Sequence, residues 1–402
     1  MTTSPSARIF PLENPIKNYA WGSRHSLATI CGRSAPTAEP EAELWMGTHP
    51  GGPSQIASDR NLRELVAADP ATTLGPRVRA EFGDGLPFLL KLLAANEPLS
   101  LQAHPSLERA RAGFDREEAA GVPIGAAFRC YKDRNHKPEL LCALTPFHAL
   151  VGFRDIDATR RLFEAFDAPE LEPLLATLRG DTATALLAFF QFVISGPPET
   201  RAEIARVTLA GCRAKSPGDA EFSREYAWGV RIGELYPGDS GIALALALNL
   251  LVLEPGEAIH LPAGNLHAYL EGTGVEIMAS SDNVLRGGLT PKHIDVPELL
   301  AVLDFHAGPA SVVPTEQHGK ETLYLTPSRE FALSRFELAD APVTVSPVAG
   351  PEIVVTTRGT ATVRRGDESV SLPAGTSAFF PAVGGDYTLA GPATAFRARV
   401  NL

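Results

Sequence analysis

The chain has 402 residues, a length that suits two or three domains or one fold with insertions. Hydrophobic residues make up 44% and charged residues 21% of the sequence, which excludes a chain that is disordered throughout. The net charge of −11 argues against a general nucleic-acid binder, although a few clustered cations can still hold one phosphate group. The longest apolar run, from Gly241 to Leu253, is too short to cross a bilayer.

The cysteines are few and scattered. They are Cys31, Cys130, Cys142 and Cys212, and no two of them form a Cys-x-x-Cys pair. This spacing indicates neither a disulfide scaffold nor a cysteine zinc site. The first residues, 1–8, lack the charged and then apolar pattern of an export signal. The sequence therefore predicts a cytoplasmic protein.

The first part of the chain predicts buried strands. The run from Leu86 to Ala95 is almost continuously apolar, as in a strand that is covered on both faces. The next run, from Leu99 to His104, alternates in character and stops at Pro105. The sequence also contains 35 glycines and 34 prolines, which indicates a chain rich in turns and strands.

A helical block is predicted at 154–236. Four leucines between 171 and 178 follow the i, i+3, i+4, i+7 spacing of one helix face. A second helix is expected over 182–194, which is rich in Ala and Leu and precedes a Gly-Pro-Pro stop. A third is expected over 199–211.

Strand patterns return after this block. From Gly241 to Val252, large apolar residues alternate with small ones, which predicts a strand. The last hundred residues contain short β-rich runs that begin at Ile353, Thr360 and Ser369 and are separated by turn residues. These runs predict a second small β-barrel or sandwich.

A glycine-to-histidine motif lies in the returning strand region. Gly256 is followed by Pro262 and His267 at a spacing that resembles the second motif of cupin β-barrels. The run from Gly375 to Pro381 repeats the glycine-to-proline spacing, but Gly-Gly-Asp-Tyr follows where a histidine would lie. On this pattern the second barrel has lost its metal ligand. The alternative is a pair of hairpins with common turn residues.

The expected fold class is mainly β, with cupin-type barrels in a bicupin-like arrangement and an inserted helical domain. The expected segments are the N-terminal part of the catalytic barrel at 1–153, the helical insertion at 154–236, the rest of the catalytic barrel at 237–305 and a metal-free cupin-like domain at 306–402.

Three segments carry residues that suit a metal ion. Gln102 and His104 are two positions apart, so in a strand both side chains point to the same face. Glu139 stands where a charged run meets an apolar strand, which is a costly place for a charge that is not used. His267 follows a glycine-bearing turn. The alternatives are a hydrogen-bonded Gln and His at a strand end, and a solvated turn at Glu139.

These four residues offer nitrogen and oxygen donors without a thiolate, which suits Zn²⁺ or another borderline divalent ion. One carboxylate against a doubly charged ion leaves a net positive charge, which favours an oxyanion or a polarised hydroxyl as substrate. The loop at 278–293 adds cations, and its Arg286 precedes two glycines that let a ligand approach the backbone closely. An ordinary surface loop is the alternative for this segment.

Six runs of the sequence stand out, in this order: 14–23, 43–50, 99–105, 131–139, 264–270 and 281–292. The run 131–139 reads Tyr-Lys-Asp-Arg-Asn-His-Lys-Pro-Glu. Together the runs resemble the type I mannose-6-phosphate isomerase family, and the resemblance extends over about residues 10–300 without a departure at the motif positions. The C-terminal hundred residues carry no usable motif.

The resemblance implies a zinc-dependent aldose–ketose isomerase of cupin fold that interconverts mannose 6-phosphate and fructose 6-phosphate. It implies one zinc ion per chain, with Arg286 as the catalytic arginine. The implied zinc ligands are Gln102, His104, Glu139 and His267. The implied site-lining residues are His136, Lys137, Glu276 and Asp282. The residues expected at the substrate phosphate are Lys91, Ser100 and Lys292.

Isomerisation requires that the sugar ring open, that a proton move between C2 and C1, and that the enediol-type intermediate be stabilised. A metal ion and Arg286 can stabilise its oxygens, and His136 and Asp282 are the groups expected to open the ring. Lys137 and Glu276 remain alternatives for the proton carrier.

The expected partner is a small sugar phosphate, with no nucleic acid and no membrane, and the chain is expected to be a monomer. Two other classes stay open: another metal-dependent cupin enzyme, and a non-catalytic sugar-phosphate-binding cupin.

Overall fold

The computed structural model describes residues 8–57, 60–218, 221–347 and 350–402. The segment considered above for an export signal falls, except for Arg8, outside these residues. Within them the chain forms 22 strands and 11 α-helices. The strands are β1 Phe10–Leu12, β2 Ile16–Lys17, β3 Glu43–Met46, β4 Gln55–Ala57, β5 Arg60–Asn61, β6 Phe88–Ala95, β7 Leu101–Ala103, β8 Glu139–Ala143, β9 Phe147–Phe153, β10 Leu248–Leu253, β11 Ala258–Leu261, β12 His267–Ala279, β13 Leu285–Gly288, β14 Thr315–His318, β15 Glu321–Tyr324, β16 Ala332–Leu338, β17 Val343–Val345, β18 Glu352–Arg365, β19 Glu368–Pro373, β20 Ser377–Phe380, β21 Tyr387–Ala390 and β22 Ala393–Arg399. The helices are α1 Ser26–Ile30, α2 Leu62–Ala68, α3 Pro70–Phe82, α4 Leu107–Ala119, α5 Ile156–Glu164, α6 Glu172–Thr177, α7 Thr182–Ser195, α8 Pro198–Lys215, α9 Ser223–Leu235, α10 Gly241–Leu246 and α11 Val296–Val302.

The first sheet holds ten strands and is organised around β12. This 13-residue strand runs antiparallel to four others, β6, β7, β8 and β9. All four precede the helical block in the chain, whereas β12 follows it. Pairing along β12 therefore brings together residues that are far apart in sequence.

Strand β12 is bent. The register shifts between Tyr269 and Glu271, and Gly272 has a φ of 138°. A residue with a side chain rarely adopts this φ, so glycine permits the bend. Its first residue, His267, lies opposite Gln102, and its penultimate residue, Met278, lies opposite Glu139.

The apolar run from Leu86 forms β6, and the predicted strand is confirmed. Every residue from Phe88 to Ala95 is buried. The strand lies between β3 and β12, so both of its edges are hydrogen-bonded. A charged residue, Lys91, is therefore enclosed in the middle of the sheet.

The helices expected between 154 and 236 are present. A 3₁₀ turn at Pro169–Leu171 leads into α6, and α7 and α8 follow as predicted. The Asp181 side chain accepts a hydrogen bond from the Thr184 backbone N–H and so caps α7. The apolar faces of the helices share one core cluster with Leu101 and Ala103 of β7. Among the described residues, none of the helices is both long and apolar enough to span a bilayer.

The strand predicted from Gly241 is wrong for its first half. Residues 241–246 form α10, and a strand begins only at Leu248. All six residues of α10 are buried, so apolar periodicity could not separate the helix from a strand. The Asp239 carboxylate accepts from the Gly241 backbone N–H at 2.8 Å just before the helix begins.

The second sheet also holds ten strands, and nine of them come from residues 315–399. The tenth is β1, which pairs with β20 although it lies near the start of the chain. Gly256 and Gly375, which open the two similar motifs, both have positive φ, 94° and 83°, and each precedes a strand. Side chains of both sheets share one core cluster that includes Leu90, Val275 and Phe379.

Candidate metal centre

Three buried side chains, at or next to the ends of different strands of the first sheet, converge on one point. They are His104 just after β7, Glu139 at the start of β8 and His267 at the start of β12. Their candidate ligand atoms all lie within 4.8 Å of one another. The Nε2 of His104 is 3.4 Å from Oε1 of Glu139, and the Nε2 of His267 is 3.6 Å from Oε2.

The bend of β12 makes this convergence possible. Glu139 lies opposite Met278, whereas His267 lies at the other end of the strand. A straight strand would separate these two positions by roughly 36 Å, far beyond the reach of side chains. Because β12 curves, the Glu139 carboxylate instead faces the His267 ring across the interior of the sheet.

Backbone carbonyls fix the orientation of both histidines. The Nδ1 of His104 lies 2.9 Å from the Asn283 carbonyl oxygen, and the Nδ1 of His267 lies 2.9 Å from that of Asn265. A carbonyl only accepts, so each ring carries its proton on Nδ1 and turns the Nε2 lone pair towards Glu139. Metal-binding histidines have this arrangement.

The cluster fits a divalent cation. Among the described residues, the Nε2 atoms of His104 and His267 and the Oε2 of Glu139 are buried without a hydrogen-bond partner. Each such atom costs about 1–3 kcal/mol unless something binds it.

The protonation states also suit a cation. Burial lowers the pKa of His104 to about 4, so at pH 7 the ring is neutral and can offer its Nε2 lone pair to a metal ion. Burial opposes ionisation of Glu139, but the charge of Lys137 outweighs it and holds the pKa of Glu139 well below the usual range.

Gln102 stands beside these donors. Its neighbours in β7, Leu101 and Ala103, belong to the core cluster on the helical side. Alternation along the strand therefore turns Gln102 to the opposite side, towards the interior. Its Cα is paired with that of His267 on one side and that of Arg286 on the other.

A buried charged cluster lies next to the candidate metal site formed by His104, Glu139 and His267. The Lys91 Nζ is 2.7 Å from Oε2 of Glu276 and 3.2 Å from Oε1 of Glu43. The Tyr269 hydroxyl donates to Glu276 at 3.0 Å, and the Trp45 indole donates to Glu43 at 2.8 Å. Lys91 is therefore enclosed by two carboxylates, which is not the position of a phosphate ligand that the sequence led us to expect.

The pKa values of this cluster follow from burial and from the shared ammonium. Burial alone would lower the pKa of Lys91, but Glu276 and Glu43 outweigh it and raise the pKa above its usual value. Burial raises the pKa of Glu276, and Lys91 only partly offsets this.

Lys137 and His136 are neighbours in sequence, but their side chains contact different partners. The Lys137 Nζ lies 3.1 Å from Oε1 of Glu139. The His136 Nε2 instead lies 2.6 Å from Oε1 of Glu330, a residue of the C-terminal part. The structure therefore brings Lys137 to the candidate metal site and turns the His136 ring to Glu330.

Asp282 is held by a histidine that the sequence analysis did not single out. The His49 Nδ1 accepts from the Gly51 backbone N–H at 3.1 Å, so its Nε2 carries the proton and points to Oδ2 of Asp282 at 3.3 Å. This hydrogen bond is the main reason why the pKa of Asp282 is below its usual value. His49 lies in one of the six runs that resemble the isomerase family, and that was the available signal.

Cations gather at Arg286. Its Nη1 donates to the Ser100 hydroxyl at 3.0 Å. The charge of Arg286 is the main cause that lowers the pKa of Lys292, and Lys132 contributes as well, so the three cations lie near one another. Lys132 was missed by sequence reasoning, and its exposed position in a charged run gave no reason to choose it.

Comparison with known proteins agrees with this geometry. A family model described as the catalytic domain of type I phosphomannose isomerase matches residues 9–156. The mannose-6-phosphate isomerase of Escherichia coli is 39% identical over 378 residues, which cover 92% of this chain and 94% of that protein. The human mannose-6-phosphate isomerase is 35% identical over 84% of this chain and 80% of its own length.

Solved structures show the same fold. A substituted form of phosphomannose isomerase from Salmonella typhimurium superposes with a TM-score of 0.92 at 36% identity and covers 98% of this chain and 100% of that one. A mannose 6-phosphate isomerase with bound zinc and yttrium gives a TM-score of 0.91 with the same identity and coverage. The expected cupin-like, mainly β fold is thereby confirmed.

Proposed function

Because the chain belongs to the type I phosphomannose isomerase family, we propose that its buried cluster holds the zinc ion and that the groups around it carry out the isomerisation. The protein is a zinc-dependent aldose–ketose isomerase that interconverts mannose 6-phosphate and fructose 6-phosphate. One observation carries the assignment of the metal site: two histidine nitrogens and a carboxylate oxygen are buried together without partners.

The proposed zinc ligands are His104, Glu139 and His267, with Gln102 as the fourth. Two neutral nitrogens, one carboxylate and one amide oxygen suit Zn²⁺. When bound, the ion supplies a positive charge that polarises the oxygens on C1 and C2 of the open-chain sugar.

We propose that the neutral amine of Lys137 takes the proton from one carbon, C2 or C1, and that the ammonium so formed returns it to the other. The Lys137 Nζ lies 3.1 Å from the Glu139 carboxylate and therefore stands beside whatever binds at the cluster. Glu276 is less suited because Lys91 and Tyr269 already hydrogen-bond both of its oxygens. In this scheme Glu276 and Lys91 act as a fixed charge pair behind the site.

We propose Asp282 for ring opening. Its side chain is half exposed, which leaves it accessible to a sugar hydroxyl, and its low pKa keeps it ionised as a base. His136, the other residue expected in this role, has its Nε2 occupied by Glu330. We therefore assign no proton transfer to His136.

In this proposal Arg286 stabilises the intermediate, and the cations near it bind the phosphate group. Arg286 faces Gln102 across β7 and β13, so its guanidinium can stabilise negative charge that develops on the enediol oxygens. Lys292, together with Ser100, is proposed to hold the phosphate group, with Lys132 as an additional cation. Local cations are needed because the chain carries a net charge of −11.

The wider assignments are also proposals. We propose that the helical block at 154–236 is an insertion in the catalytic barrel of 1–153 and 237–305, and that 306–402 is a metal-free domain. We propose a cytoplasmic monomer as well. The four cysteines are unpaired, and the exposed large apolar residues among those described are scattered. Light scattering with size-exclusion chromatography tests the monomer.

The test is conversion of mannose 6-phosphate to fructose 6-phosphate before and after removal of zinc by a chelator. We expect the chelated protein to be inactive and added zinc to restore turnover. A protein that binds mannose 6-phosphate but never converts it would instead be the non-catalytic sugar-phosphate binder. Full activity without metal would contradict the assignment of the buried cluster.

A further inference from the structure

The C-terminal part of the chain contacts the residue next to Lys137. Glu330 lies in the segment between β15 and β16, and its Oε1 is 2.6 Å from the Nε2 of His136. A carboxylate only accepts, so the His136 Nε2–H donates. Burial opposes ionisation of Glu330, but this hydrogen bond outweighs it and holds the pKa of Glu330 below its usual value. The contact is therefore a short hydrogen bond to a charged acceptor.

The segment that carries Glu330 is held from several directions. Asn401 near the end of the chain donates from its Nδ2 to the Ser328 carbonyl at 2.9 Å, and its backbone N–H donates to the Arg329 carbonyl at 3.1 Å. The His260 Nε2 lies 3.0 Å from the Ser328 hydroxyl. Phe331, which follows Glu330, is fully buried in the core cluster shared by the two sheets. Glu330 therefore projects from a fixed support.

His136 belongs to a loop that is itself tied to the site. The backbone carbonyl of Asn135 accepts from the Asn283 Nδ2 at 2.8 Å and from the Ser281 hydroxyl at 3.2 Å. The Asn283 carbonyl in turn orients His104. A displacement of the backbone at His136 would therefore reach Lys137, the next residue.

The Glu330 contact lies in the wall of a cavity. His136 and Glu330 line a cavity of about 880 Å³ together with Ser280, Arg111 and Arg63. None of the residues that line this cavity is one of the proposed zinc ligands. The Glu330 side chain contacts His136, which precedes Lys137, so we expect an effect of Glu330 on the reaction to run through His136.

We propose that Glu330 is a positioning residue for the isomerisation: it holds His136 and so keeps the Lys137 ammonium at Glu139. This inference rests on the proposed function of Lys137. It also gives the C-terminal domain a task in catalysis, because the acceptor comes from that domain and the donor from the loop that precedes β8.

The experiment compares Glu330→Ala, Glu330→Gln and Arg329→Ala with the wild type. Glu330→Ala should lower kcat by about tenfold or more, since a displacement of 1 Å at a reacting group can cost a hundredfold. KM and zinc content should stay near the wild-type values. Glu330→Gln keeps an acceptor oxygen and should recover most of kcat. Arg329→Ala removes only the neighbouring ion pair with Glu81 and should behave as the wild type.

A double variant separates positioning from a general loss of structure. Glu330→Ala combined with His136→Ala should be no slower than the slower single variant, because both break one contact. Wild-type kcat in Glu330→Ala, losses that multiply in the double variant, or a fall in kcat matched by an equal loss of zinc would each overturn the proposal.

Wild-type turnover is measured first, so that a failure of the proposed function can be distinguished from a failure of the positioning role of Glu330. If the wild-type protein does not convert mannose 6-phosphate, the proposed function fails. The positioning claim is then read from a crystal structure of Glu330→Ala. A displaced Lys137 ammonium supports the claim, and an unmoved one overturns it.

Discussion

Lys91 and Glu276 are direct neighbours on paired strands, and their side chains form a buried ion pair with a distance of 2.7 Å. The same ammonium also contacts Glu43, so one cation serves two buried carboxylates. Removing one partner of a buried pair leaves an uncompensated charge in the protein interior, where it is poorly solvated. The pair is therefore a sensitive point for stability.

We expect Lys91→Met to destabilise the protein by about 3–5 kcal/mol, because Glu276 and Glu43 lose their common counter-ion. Urea unfolding followed by circular dichroism measures this free energy. The matched control is Arg206→Ala, which removes an exposed ion pair with Glu203 and should cost less than about 1 kcal/mol. Equal stability of the two variants would show that the Lys91 contacts are not needed.

The proposed zinc ligands lead to a prediction about zinc content. His267→Ala and Glu139→Ala should each lose most of the bound zinc, since each removes one of the donors that face the common centre. Elemental analysis of the purified variants gives zinc per chain. His260→Ala is the control, because His260 contacts Ser328 outside the cluster and its variant should keep the wild-type zinc content. Zinc retained at full stoichiometry in both site variants would place the metal elsewhere.

Arg286→Ala should behave differently from the ligand variants. It should keep zinc and the fold yet lose about a hundredfold in kcat, because a fixed cation at a developing oxyanion contributes roughly 3 kcal/mol. Steady-state kinetics on zinc-loaded protein measures this. Wild-type turnover in Arg286→Ala would remove the arginine from the catalytic scheme.

Local sequence patterns predicted some of the elements, among them β6, α7 and α8, and the motif spacing pointed to the residues that converge at the candidate metal centre. They could not predict which partner a buried charge has. Lys91 appears as a single lysine in an apolar run, and its partner Glu276 is 185 residues away in the chain. Only the register between β6 and β12 joins them, and register is a property of the folded sheet.

The partner of His136 could not be predicted for the same reason, because it too is set by the fold. The sequence shows it beside Lys137 and suggests a common role, whereas the folded chain turns the ring to Glu330, which lies in a region without a recognisable motif. The error at α10 was of another kind. Every residue of that helix is buried, and a fully apolar segment has no exposed face from which its period could be read.

The cations near Arg286 lead to a prediction about substrate affinity. Lys292→Ala should raise KM for mannose 6-phosphate about tenfold or more, because a charge-assisted contact contributes about 1.5–3 kcal/mol. Turnover of unphosphorylated mannose should change little. Lys320→Ala removes an exposed lysine of the C-terminal part and is the control. Equal losses on both sugars would place Lys292 in the chemistry or the fold instead of at the phosphate.

The contact between His49 and Asp282 predicts a change in pH dependence. The His49 hydrogen bond holds the pKa of Asp282 below its usual value, so in the wild type this carboxylate stays ionised to a lower pH than an unperturbed aspartate does. His49→Phe keeps an aromatic ring against Trp45, which packs edge-on at 4.9 Å, but removes the donor. The pKa of Asp282 should then rise, so its ionised form is lost at a higher pH. If ionised Asp282 opens the ring, the acidic limb of kcat/KM should move to higher pH in His49→Phe, whereas kcat/KM at pH 8 should change less.

The control is His49→Gln, which restores an N–H donor and should move the acidic limb back towards the wild-type position. A pH profile in His49→Phe that overlays the wild type would show that Asp282 is not the group whose ionisation limits the reaction in acid.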